Sequence, residues 1–150
     1  MKKEKTIKKS VTVQPETMKA LLRRSGNKEN GLSSQVNNDL RLYHALMDLL
    51  AMEAMVEARF SEGEVLLLLR VTDGMVVEPG RLSGIAMRIR GAIVEQTRPE
   101  NYPAMLALAD KIRNLSMVTA LWLWDAITVY RANSHRHQDR EYLLALFGVR

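Results

Sequence analysis

Between Lys8 and Gln14 the chain alternates polar and apolar, then changes period. Val11 and Val13 fall on one face, while Ser10, Thr12 and Gln14 fall on the other, which is the two-residue period of a strand. Lys9 breaks the alternation near its start. Pro15 ends the run and is suited to open a helix, with Glu16 beside that helix's positive end. Met18, Leu21 and Leu22 then recur at i, i+3 and i+4, and Gly26 supplies a C-terminal stop. Asn27 to Gly31 is a polar loop.

A second helix is predicted from Ser33 or Ser34, either of which can cap it. Val36, Leu40, Tyr43, Met47 and Leu50 are spaced 4, 3, 4 and 3, a continuous apolar seam. Leu42, Leu46 and Leu49 widen that seam until burial on two sides is expected. The pattern carries the helix to about Ala58. Beyond it, Ser61 caps a short helix through Val71, Asp73-Gly74 signals a turn, and Met75 to Gly80 is irregular. Ile85, Ile89 and Ile93 mark a helix over Ser83 to Glu95. Met105, Leu108 and Ile112 mark another over Tyr102 to Asn114. Ser116 caps a helix to about Ala132, Asn133 to Asp139 is polar, and a last short helix ends at Phe147-Gly148. Trp122 and Trp124 are two apart and cannot share a helix face, so one is expected in the core and the other is available to a partner. Met47, Met52 and Met55 read as core filler.

Composition keeps the chain among globular proteins: 150 residues, 47% hydrophobic and 26% charged, enough for one domain or a domain with a small accessory module. Cysteine is absent, which excludes disulfides and thiolate zinc sites and fits a reducing compartment. Apolar runs such as Val65 to Leu69 are far too short for a bilayer, and no apolar signal core follows the basic N-terminus. A cytoplasmic protein with no membrane contact is the expectation.

Charge changes the picture more. Nine Lys or Arg against three Glu leave +6 in residues 1–30, while the other 13 basic and 14 acidic residues leave −1. Such a block fits a polyanion-binding arm, or a solvated tail. A single strand cannot satisfy its own backbone. Paired with the same strand of a second chain it makes an antiparallel ribbon, which fits the major groove of DNA. The valines then face the helices, and the uncharged Ser10, Thr12 and Gln14 face base edges. An ordinary edge strand or a frayed arm gives the same alternation.

The order of strand, Pro-Glu, three-turn helix, polar loop and the Ser-capped helix "LSSQVNNDLRLYHAL" resembles the ribbon-helix-helix family of DNA-binding proteins over roughly residues 7–50. The resemblance implies a mostly α fold: an N-terminal ribbon-helix-helix module pairing one strand across a homodimer, followed by an all-α helical domain. It implies a basic arm over 1–6, the module over 7–58 and the helical domain over 59–150. Ser10, Thr12 and Gln14 would contact bases. Lys8, Lys9, Ser33 and Ser34 would contact the DNA backbone, because free amides at a helix N-terminus favour phosphate. Val11, Val13, Met18, Leu21, Leu22, Val36, Leu40 and Tyr43 would form the dimer core. Many members carry Arg or Lys among the base-reading residues and this strand has none, which shifts binding toward the flanking lysines. The implied role is a transcriptional repressor or a plasmid or phage DNA-organising factor. A helical adaptor whose basic arm and strand bind a protein is the alternative, and the helical domain has room for a protein partner in either case.

Signals for catalysis are weak. His135 and His137 form an HxH in a polar loop without a carboxylate at convincing spacing, so no metal is assigned. His44 lies within a helix, and the glycines are scattered rather than gathered into a phosphate-cradling loop. Gly80 and Gly84 are spaced GxxxG, which carries meaning only between membrane helices. No enzyme and no cofactor are expected.

Overall fold

The computed structural model describes residues 12–26, 32–133 and 140–149. Among them the chain is all-α. Its helices are α1 (Pro15–Arg24), α2 (Leu32–Ala58), α3 (Glu62–Val71), α4 (Ile85–Glu95), α5 (Tyr102–Arg113), α6 (Met117–Ala132) and α7 (Arg140–Leu146), and a 3-10 segment, Pro79–Gly84, leads into α4. Two compact units divide the chain, Met1–Ala45 and Leu46–Arg150. That division falls inside α2.

The predicted ribbon-helix-helix module is corrected by this architecture, because no strand is present among the described residues. Thr12, Val13 and Gln14 are exposed and belong to no regular element. Gln14 is extended, at φ −64° and ψ 145°, and its carbonyl accepts the Met18 N–H at 2.9 Å to open α1. The proline ring explains the conformation. It disfavours the helical region for the residue before it, so Gln14 is extended with or without a partner strand. Two valines two residues apart are too few to tell a strand from a pre-proline segment. Lys8, Lys9, Ser10 and Val11 lie outside the described residues, as does the arm over 1–6.

In the first unit, α1 forms as its spacing predicts. Pro15 occupies its first turn with Glu16, Arg23 and Arg24 fill the last, and Ser25 caps it. Gly26 follows at φ +70°, a left-handed conformation that glycine adopts without steric cost. No α1 residue is fully buried. Because α2 opens at Leu32, Ser33 and Ser34 lie in its first turn and are exposed, not at a capping position before it.

In the second unit α4 is the central element, packing against α3, α5 and α6. Its Ile85, Ile89 and Ile93 are fully buried, as four-residue spacing on one helix face requires. Each such side chain contributes about 1.5–3 kcal/mol by leaving water. Val65 and Leu68 of α3, Met105, Leu108 and Ile112 of α5, and Leu123 and Ile127 of α6 complete the core with Phe60 and Phe147. Ser61 and Glu64 form a reciprocal capping box on α3, each bond 3.2 Å long. Ser116 caps α6 by accepting the Thr119 N–H at 3.2 Å. The helix expected from Ser83 starts as an α-helix only at Ile85, because Pro79 opens a tighter 3-10 turn that takes up Ser83. Trp122 is buried and Trp124 is half-buried against the core. Met47 and Met55 pack against the core, but Met52 does not: it is 70% exposed.

Candidate functional site

The first unit brings the basic end of α1 to the start of α2. Arg24 grips Asp39 with two nitrogens, Nε at 3.0 Å from both carboxylate oxygens and Nη2 at 2.7 Å from Oδ1. Gln35 adds a bond to Oδ1 at 2.8 Å. The Arg24 hydrogen bond holds the Asp39 carboxyl below its ordinary range, and Asp39 in turn raises Arg24. This pair uses one of the cations the sequence counted toward the basic block. Lys19 and Arg23 on α1 and Arg41 on α2 are exposed.

Of the residues expected in a dimer core, Met18, Leu21, Leu22 and Val36 are half-buried, whereas Val13, Leu40 and Tyr43 are exposed. Leu40 and Leu42 are each 52% exposed. The apolar seam read along α2 is therefore real, yet the chain covers only part of it. Among the expected base contacts, Thr12 and Gln14 are exposed next to α1. Ser33 and Ser34 lie on the first turn of α2, so the two groups are not brought onto one extended element.

The charged groups of the second unit serve its architecture. Glu57, in the last turn of α2, accepts the Ser116 N–H at 2.7 Å on Oε1 and the Ser116 hydroxyl at 2.9 Å on Oε2. The Thr119 hydroxyl also donates to Oε2. These bonds, Thr119 first and then the Ser116 amide, lower the Glu57 carboxyl from its ordinary value. Lys111 pairs with Glu64 at 2.7 Å, donates to the Arg59 carbonyl at 3.0 Å and lies 5.1 Å above the Phe60 ring. Arg131 donates to the Thr72 and Leu69 carbonyls at 2.7 and 2.8 Å, closing the end of α3. Arg140 pairs with Glu62 at 2.7 Å. No group of three or more His, Cys, Asp or Glu among the described residues is placed to hold a metal. His44 is exposed beside Tyr43, while His135 and His137 lie outside the described residues. No helix among the described residues is long and apolar enough to cross a membrane.

Two features escaped the sequence reading. One is the Glu57 cap, whose partners lie 59 and 62 residues away. The other is an open cleft of about 820 Å³ between the last turns of α2 and the C-terminal helix, lined by Met52, Met55, Val56, Arg59, Phe60, Leu144, Ala145, Gly148 and Val149. The exposed run Leu46, Leu49, Met52 and Val56 is a legible signal for an apolar surface. Only the fold shows that this surface borders a groove. No protein-family model, no curated protein and no solved structure matches this chain.

Proposed function

We propose that the chain is a homodimeric DNA-binding protein whose basic N-terminal segment contacts the phosphate backbone, acting as a repressor or as a DNA-organising factor. One observation carries the reading: a segment of net +6 leads into a helix, α2, whose Leu40, Leu42, Leu46 and Leu49 stay exposed in the single chain. The charge supplies attraction to a polyanion. The apolar side chains need a cover, and a second copy provides one. With the β-ribbon set aside, contacts come from the lysines before α1 and from the exposed Lys19, Arg23 and Arg41. A two-fold dimer then presents two basic segments to paired half-sites. The test is fluorescence anisotropy with a duplex at 50 and 200 mM salt, comparing the full chain with one lacking residues 1–14. Contact with about four to six phosphates lowers affinity by roughly 10² to 10³ over that interval. Salt-insensitive binding, or binding that survives the truncation unchanged, refutes the role of the segment.

A helical adaptor is the second reading, in which the exposed surfaces dock a protein. Met87, 80% exposed on α4 with Val94 on the same face, favours it.

A further inference from the structure

Within the second unit, α2 has two apolar sides. Ala54 and Ala58 are buried, with Met47, Ala51 and Met55 packed beside them. On the other side Leu46, Leu49, Met52 and Val56 form a ridge spaced 3, 3 and 4, with Leu49 64% and Val56 61% exposed. Met52 and Val56 belong at once to that ridge and to the wall of the cleft, whose far side is Leu144 and Val149. A ridge that runs into a groove on the same molecule is self-complementary, as a two-fold interface requires.

We infer that this surface is the dimer interface, with the α2 ridge of one copy packed antiparallel against the ridge and cleft of a second copy. The proposal rests on the homodimer reading above and names its surface. Two observations support a second copy as the occupant. The four ridge side chains are 47–70% exposed and continue into the cleft wall through Met52 and Val56, one contiguous apolar surface of the kind that marks an interaction site. The ridge is flanked by Asp48 and Glu53, while Arg59 is the charged residue among the described residues lining the cleft. Acid beside the ridge and base in the groove are complementary charges on one chain.

Charge also selects the direction. With Leu49, Met52 and Val56 as the seam, a parallel pair sets Asp48 beside the partner's Glu53, two carboxylates at close range. An antiparallel pair carries Asp48 toward the partner's Arg59, near the other end of the helix, and leaves the approach of the two Glu53 side chains as its one like-charge contact, against two in the parallel pair. Arg59 itself sits at φ +46° just after α2 ends, and its Nε donates to the Val56 carbonyl at 3.1 Å, which anchors the side chain at the cleft.

Sedimentation velocity over about 1–100 µM tests the inference on the full chain and three variants. The wild type is expected to dimerise as concentration rises. Leu49→Glu, at an exposed position, should keep its helical circular dichroism and weaken the dimer at least 100-fold. Arg59→Asp should weaken it about 10-fold, and Asp48→Arg added to Arg59→Asp should restore it, because both intersubunit pairs return with reversed sign. If Leu49→Glu dimerises like the wild type, this surface is not the interface, although the homodimer reading stands. Failure of the double variant to recover affinity overturns the antiparallel pairing. A wild type that stays monomeric at 100 µM overturns both the interface and the homodimer reading.

Discussion

Replacing Glu57 with Ala should destabilise the second unit through an exposed residue outside the hydrophobic core cluster. Its carboxylate accepts three hydrogen bonds at the start of α6, from the Ser116 amide and from the hydroxyls of Ser116 and Thr119. Bonds to a charged acceptor contribute about 1.5–3 kcal/mol each when shielded. Glu57 is exposed to solvent, so screening discounts them heavily. The Ser116 hydroxyl continues to cap Thr119 in the variant, which limits the loss further. The expected cost is about 1–2 kcal/mol at pH 7, read as a lower midpoint in urea unfolding followed by circular dichroism, at unchanged slope.

The pH dependence separates this cause from general damage. Because the folded carboxyl lies below its ordinary value of 4.5, folding favours the ionised form. That contribution is complete above the unfolded value and is lost as pH falls through the folded one. The difference between wild type and Glu57→Ala should hold steady above about pH 6 and shrink as the pH is taken below 4.5. Glu57→Gln, which keeps an acceptor but no charge, should fall between the two proteins. A difference under about 0.3 kcal/mol at pH 7, or one that stays constant on acidification, refutes the capping role.

Three further outcomes are expected. Ile89→Ala, at the buried centre of α4, should cost about 3–4 kcal/mol from lost burial and the cavity left behind, seen in thermal melting; a loss below about 1 kcal/mol contradicts the central packing of α4. Gly148→Ala should destabilise by about 1–3 kcal/mol, since the position is at φ +64° and an added Cβ would run into the Met55 side chain. Pairing it with Met55→Ala should relieve the clash, while the backbone strain and the lost packing of Met55 against the core remain. Ser61→Ala removes the α3 capping box and should cost about 0.5–2 kcal/mol in urea unfolding, with Ser61→Asp close to wild type.

The second unit was legible where local chemistry acts locally. Ser61 and Ser116 cap the helices they precede, Gly74 and Gly148 stand at their left-handed turns, and the isoleucine spacing of α4 marks the face that is buried. These features need only neighbours within a turn of helix, so the sequence alone determined them. It also determined the uneven charge. The N-terminal strand failed for a related reason: a pre-proline residue and a strand residue share one backbone region, and what separates them is a partner that lies elsewhere in sequence. The seam on α2 shows the same limit. Leu40, Leu46 and Leu49 are as apolar as any core residue, and periodicity predicts a buried stripe for them all. Burial is decided by whether another element packs there. Helix by helix the fold covers Ala54 and Ala58 and leaves Leu49, Met52 and Val56 open beside the cleft. Glu57 meets Ser116, and Arg59 comes to line the groove, only because α2, α6 and the C-terminal turn converge. Contacts across tens of residues leave no trace in local spacing, so the tertiary structure alone decided them.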